Sequence, residues 1–268
     1  MKSKLRRFMK YAGMAGICLI VAYVVLTILA GAKLRQAYED LRKDGRPMTA
    51  AEVMPERWFG TTNNAAFLYL AAHDILQTED RLYRQEVTAP KNCPTAMDVV
   101  DIHSEPEKAA FIRGFLQREN VATAMQLIRL AADMPYANFP VNWNDGPGAL
   151  LPHIACMRAM SRLMASRCLI EARDGKMEPA FSIFLTGLRV CNAMKNEPVL
   201  ISQLVRVAQI GIMLNVLQDI ADLGPLSPEH AEKLSAQLAG LDVGLRPSFV
   251  QAIDGERLLF GEWAFEQP

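Results

Sequence analysis

The sequence predicts an all-α protein: an N-terminal transmembrane helix followed by antiparallel helical hairpins, in an α-solenoid-like or tetratricopeptide-like array. Three observations point there. An uncharged apolar run covers residues 11–32, directly after the basic decapeptide Met1 to Lys10. Beyond it, apolar residues recur at spacings of three and four, with almost no alternating strand pattern. Short separators carrying Gly, Pro, Asn, Ser or Asp fall between these periodic segments, as helix stops and N-caps do.

The run YAGMAGICLIVAYVVLTILAGA has 22 residues, and a helix needs roughly 20 to cross a hydrocarbon core about 30 Å thick. Residues 1–10 are a cytoplasmic tail carrying Lys2, Lys4, Arg6, Arg7 and Lys10. Lys33, Arg35, Arg42, Lys43 and Arg46 balance them on the other flank. The N-in orientation therefore rests on the short tail being held back while the long remainder is translocated regardless of charge. The bulk of the chain is then extracytoplasmic, anchored in the cell inner membrane with the lipid bilayer as its first partner. Ala30, Gly31 and Ala32 form an A-x-A-like cleavage site, whereas the run exceeds the roughly 7 to 15 residues of a signal h-region, which favours a retained signal anchor. Ile17 stands where a lipobox before Cys18 would want a small residue.

Beyond residue 32 lie 236 residues, enough for one sizeable core or two small domains. Five of the 29 basic residues sit in the tail, leaving 24 against 29 acids and a net charge of −5. A mildly acidic portion has no electrostatic footprint for DNA or RNA, so nucleic acid is excluded as a main partner. Of the five cysteines, none forms CxxC or a zinc spacing, and neither metal nor cofactor is implied. An antiparallel hairpin about Asp174 and Gly175 brings Cys156 and Cys191 to similar levels. An oxidising compartment allows a disulfide there, and two buried thiols acting as small hydrophobes are the favoured reading.

The elements come in this order. Lys33 to Lys43 continue the membrane helix until Asp44, Gly45, Arg46 and Pro47 stop it. Thr49 and Glu52 form a capping box for a short helix that Pro55 ends. Asn63 caps a helix from Asn64 to about Gln77, and residues 88–103 are a loop. Ser104 and Glu107 form a second capping box, with Pro106 in the first turn, opening a helix to about Arg118. Next comes a helix over roughly 120–133, with Val121, Met125, Ile128 and Ala132 on its apolar face, and Pro135 ends it. Residues 33–148 thus form an N-terminal helical region with loops, and 149–268 a hairpin region. The latter is predicted as helices over about 150–173, 176–195, 198–221, 228–239 and 247–266. Asp174 and Gly175 supply one turn, Asn196 to Pro198 a break and restart, and Ser227 with Pro228 a capped start.

Within residues 161–194, Gly175, Ala180, Phe184, Gly187 and Leu188 fall at spacings resembling the second half of a tetratricopeptide unit, while Arg167 and Glu171 depart from its first half. More widely, LRKDGRPMT, NNAAFLYLAAHDIL, LPHIACMRAMSRLMASRCLIEARDGKMEPAF, EPVLISQLVRVA and DGERLLFGE resemble uncharacterised exported, membrane-anchored helical proteins of planctomycete-type bacteria. That resemblance spans most of the chain after residue 33. It implies an exported helical fold and brings no activity or catalytic residues with it.

Two places are candidate sites. The loop Tyr136 to Gly148 holds Tyr136, Phe139 and Trp143 among hydrogen-bonding Asn138, Asn142, Asn144 and Asp145. These rings form a binding surface if exposed, or pin the loop onto the helices beneath. On the apolar helix Val199 to Gln218, Ser202, Arg206 and Gln209 share one stripe. A guanidinium on a buried helix calls for a carboxylate, with Asp254 and Glu256 first and Glu171 third. Such a cluster is a structural ion pair or a ligand site open to solvent. Arg158, Arg162, Arg167 and Arg173 make a basic ridge on one helix, either a solvated face or a place for a carboxylate, phosphate or lipid head group. The fourteen methionines fill helical cores or line a partner groove.

No HExxH, GxSxG, GxxxxGK[ST] or GxGxxG occurs, and no catalytic residue is assigned. The sequence therefore reads as a single-pass membrane-anchored extracytoplasmic protein, a non-catalytic interaction or scaffold module for a protein partner. The alternative is an exported hydrolase-like enzyme with a cleft around Arg206, Asp254 and Glu256.

Overall fold

The computed structural model describes residues 2–55, 63–91, 93, 95–97 and 106–261. The protein is all-α, with no strand among the described residues. It divides into two compact units, Met1–Glu52 and Val53–Pro268, so the second unit spans the regional boundary drawn between residues 148 and 149.

The first unit is dominated by α1, Lys2–Lys43. Its stretch Gly16–Lys43 is long and apolar enough to cross a membrane. Large apolar side chains on every side of it are exposed, with Leu19 and Tyr23 each at 72%. Gly45, at φ 67°, ends the helix in the left-handed region. In α2, Ala50–Val53, the Glu52 carboxylate accepts from the Thr49 hydroxyl at 2.8 Å and from the Met48 N–H at 3.1 Å, one residue earlier than an ideal capping box.

The second unit begins its packing with α3, Ala65–Glu86. Its cap is Asn64, one residue later than expected, and it runs nine residues past Gln77. The reason lies in the inward positions of the last turns, which are Glu79, Asp80 and Tyr83 rather than aliphatic residues. Their burial is matched by partners distant in sequence. Asp80 accepts the Ala96 N–H at 2.7 Å. Glu79 accepts from Arg118 and Asn120, each at 2.6 Å, at the start of α5, Glu119–Ala132. Between them, α4, Pro106–Leu116, buries Phe111, Ile112 and Phe115; the expected cap Ser104 lies outside the described residues. Along α5, Val121, Met125 and Ile128 are buried as expected, with Ala131 rather than Ala132 fully inside.

Helices α6, Pro152–Arg173, and α7, Met177–Cys191, form an antiparallel hairpin. Its turn is closed by Gly175 at φ 75°, which a side chain would strain. This hairpin occupies the span with tetratricopeptide-like spacing. Met157, Met160, Met164, Met194 and Met213 fill its core. Helix α8, Leu200–Leu223, packs on α6, α7 and α9. Its all-round apolar character suggests a central helix, but one side is open. Ser202, Gln203, Arg206 and Gln209 face inward while Ile201, Leu204, Val207 and Leu214 are exposed.

One difference concerns the C-terminal pair of helices expected at 228–239 and 247–266. They are a single helix, α9, Pro228–Gly255, continuing as a wider turn over Glu256–Gly261. Residues beyond 261 lie outside the described set. Pro247 lacks the N–H that the Val243 carbonyl would accept, but Val243 is 76% exposed and open to water. The Ser248 hydroxyl donates to the Gly244 carbonyl at 2.8 Å, supporting the same turn.

Hydrogen bonds from Asn120 and Arg118 hold the Glu79 carboxyl below its ordinary range, and the bond from Arg113 does the same for Asp174. Both carboxylates are therefore more acidic folded than unfolded. Their contribution is present above the unfolded pKa of about 4 and is lost as pH falls through the depressed folded values. Thermal melts across pH 5 to 3 should show a falling midpoint, and Glu79→Gln should flatten that fall. An unchanged slope would contradict the assignment.

Candidate functional site

The polar stripe of α8 is assembled by spacing alone, since positions 202, 206 and 209 lie four and three apart on one face. The structure buries all three and adds Gln203. Arg206, at 1% exposure, donates through Nη2 to Asn192 Oδ1 at 2.7 Å and through Nη1 to Ser248 Oγ at 3.0 Å. A longer bond of 3.4 Å reaches Gln203 Oε1. Gln203 Nε2 donates in turn to the carbonyls of Met194 at 2.9 Å and Glu197 at 3.0 Å. Gln209 Nε2 donates to Ser161 Oγ at 2.9 Å. One guanidinium thus links the end of α7, α8 and α9.

The expected carboxylate partners of Arg206 are elsewhere. Asp254 stands 3.6 Å from Arg257. Glu256 accepts the Leu200 N–H at 2.9 Å. Glu171 pairs with Lys176 at 3.2 Å. The start of α8 explains the diversion of Glu256: Val199 supplies no side-chain cap, and the free N–H groups and positive dipole end of a helix attract a carboxylate. Arg206 is therefore solvated by neutral oxygens, and burial pushes its pKa below the ordinary value. Its Nε has no hydrogen-bond partner among the described residues.

A second buried group escapes the sequence reading. His153, 1% exposed, opens α6 and approaches Glu197, 5% exposed, with Nε2 2.7 Å from Oε1. The two atoms are in close contact without a hydrogen bond between them. The Ser202 hydroxyl donates to the other Glu197 oxygen. Serine, acid and histidine meet here in the wrong order for nucleophilic catalysis. The carboxylate sits between the other two, so the hydroxyl gives its proton toward the acid, not toward the imidazole. An acid placed just before a helix start is the available signal, although the segment Asn196 to Pro198 by itself reads only as a break.

The aromatic loop turns inward. Phe139 stacks on the His153 ring with centroids 4.4 Å apart and 14° between planes, and Trp143 is also buried. Asn64 pins this loop while capping α3: its Oδ1 accepts from Ala66 N–H at 3.1 Å and Asn138 N–H at 2.8 Å, and its Nδ2 donates to the Asn138 carbonyl at 2.9 Å. Of the three rings, Tyr136 lines a cleft. That cleft, about 160 Å³, is lined by Tyr69, Tyr136, Arg189, Asn192, Lys195 and Asn196. Asn192 belongs to both places, lining the cleft and holding Arg206 behind it. Arg189 is 3.3 Å from Asp133. The lining supplies hydrogen bonds and positive charge but no carboxylate, so it suits binding better than proton transfer.

Cys156, Cys168 and Cys191 are free, buried thiols, and burial pushes each up to about 12. Cys168 donates to the Ala180 carbonyl at 3.0 Å and Cys191 to that of Gly187 at 3.1 Å. No disulfide joins Cys156 and Cys191. Among the described residues, no cluster of His, Cys, Asp or Glu has the makings of a metal site. Comparison with known proteins adds no relative: no protein-family model, no curated protein and no solved structure matches the chain.

Maleimide at pH 8 should leave these three cysteines unmodified in the folded protein and label them after denaturation, because the reactive thiolate is suppressed; rapid native labelling would contradict their burial. Gly255 tests the docking of α9, since a Cβ there would run into the Pro198 carbonyl oxygen. Gly255→Ala should cost about 1–3 kcal/mol and lower the melting midpoint by several degrees. An unaltered midpoint would mean that α9 does not pack on the Asn196–Pro198 connector.

Proposed function

We propose that the protein is a single-pass membrane-anchored module whose helical unit lies outside the cytoplasm and binds a protein partner without catalysing a reaction. The observation that carries this reading is α1: an uncharged run of 22 residues inside one continuous helix, with the large apolar side chains of the stretch Gly16–Lys43 exposed. Side chains of that kind are covered by lipid. The orientation rests on the basic tail of residues 1–10 and on the length of chain beyond the apolar run. Helix α8 also has the length and composition of a membrane span. However, the hydrogen bonds of Gln203, Arg206 and Gln209 to neighbouring segments, with α8 packed on three helices, are those of a core helix.

The interaction role is supported by what is exposed and what is buried. Ile201, Leu204, Val207 and Leu214 give α8 an apolar outer stripe, the kind of surface that a partner covers. The groups with chemical potential, His153, Glu197 and Ser202, are sealed in the core, and Asp254 and Glu256 are occupied away from Arg206. The hydrolase alternative is disfavoured because Arg206 itself is buried and bonded to neutral oxygens.

Membrane fractionation of the full-length protein tests the anchor. It should resist extraction at alkaline pH, its intact mass should include residues 1–32, and protease added to spheroplasts should digest the C-terminal unit. A soluble chain beginning at Lys33 would refute the anchor, and protection of the C-terminal unit in spheroplasts would refute the orientation.

A further inference from the structure

We propose that the cleft between α5, α6 and α7 binds an oxyanion, the phosphate or carboxylate group of a soluble molecule or of a lipid head group, gripped by Arg129 and Arg167. The cleft measures about 210 Å³ and is lined by Arg129 and Gln126 of α5, Arg167 and Met164 of α6, and Ser182 and Thr186 of α7. That space equals roughly seven liquid-water volumes, which fits one such group with a few waters. No aspartate or glutamate lines it.

Two guanidiniums facing one small space repel each other, and helices normally relieve such charges with an acid one turn along. Here the acids exist and are turned away. Asp133, four residues after Arg129, lies against Arg189 at 3.3 Å. Glu171, four residues after Arg167, lies against Lys176 at 3.2 Å. Neither Arg129 nor Arg167 makes an ion pair or side-chain hydrogen bond among the described residues. Arg129 is exposed and Arg167 half-buried, so one is free to close over a ligand while the other lines the cleft together with buried Met125 and Met164. The apolar floor lowers the local dielectric and strengthens attraction to an anion. The planar forks of both residues suit bidentate contact with phosphate or carboxylate oxygens. The site stands independently of where the chain is anchored.

Isothermal titration of the full-length protein in uncharged detergent micelles, with inorganic phosphate and with succinate at matched chloride, tests the site. Saturable binding of at least one anion is expected. Arg129→Gln and Arg167→Gln should each weaken it roughly tenfold or more. Arg167→Lys should fall between, and Arg246→Gln, an exposed arginine of α9 outside the cleft, should leave it unchanged. Circular dichroism checks that each variant is folded, and Arg129→Gln, at an exposed position, carries the test if Arg167→Gln is not. Displacement of phosphate by phosphatidylglycerol in the same micelles would support the site with a lipid head group as source, and failure to displace would support it with a soluble anion. Absence of saturable binding of both anions, or equal weakening by Arg246→Gln, would overturn the proposal.

Discussion

A single guanidinium, buried without a counter-ion, organises the C-terminal half of the helical unit. Arg206 cannot be left dry, since an uncompensated buried charge is among the costliest features a core can hold. It is satisfied instead by three neutral oxygens, from Asn192 after α7, Gln203 one turn back on α8, and Ser248 on α9. Those partners come from separate segments, so meeting the hydrogen-bonding needs of one side chain sets how three elements meet. Gly244 of α9 packs close to the same group: a Cβ built there would lie in ordinary van der Waals contact, 3.6 Å from Arg206 Nη2.

Other features fall into place around that constraint. With Arg206 held by neutral partners, the nearby carboxylates serve other ends: Glu256 caps α8, and Glu197 joins Ser202 to His153. The connector between α7 and α8 is consequently held from both sides, by Gln203 beneath and by Gly255 packed on Pro198. It forms one wall of the cleft that carries Arg189, Asn192 and Lys195. The connector sits in the same unit as the Arg129 and Arg167 cleft on the flank of α7.

Much of the helical framework is legible in the sequence because it depends on local signals. The apolar run of α1, the Gly175 turn and the Ser227 cap each act within a few residues, and each is where the sequence places it. The illegible parts depend on distant partners. Glu79 and Asp80 look like the polar end of a helix until Arg118, Asn120 and Ala96 are brought against them. Pro247 looks like a break until Val243 proves exposed and Ser248 supports the turn. For the candidate cluster, the shared stripe identifies Ser202, Arg206 and Gln209, whereas charge alone misdirects the search for the partner of Arg206. The competing demand of a helix N-terminus for a carboxylate takes Glu256 away.

The most direct measurement of the central claim is native-state hydrogen exchange of Arg206→Met beside the parent protein. If Arg206 ties the three segments together, loss of its bonds should raise exchange about tenfold or more in residues 192–197 and 248–255. Protection in α3 and α5, which pack through Glu79 and Arg118, should remain. Unchanged protection at the connector and α9, or a uniform loss across the whole unit, would contradict the account.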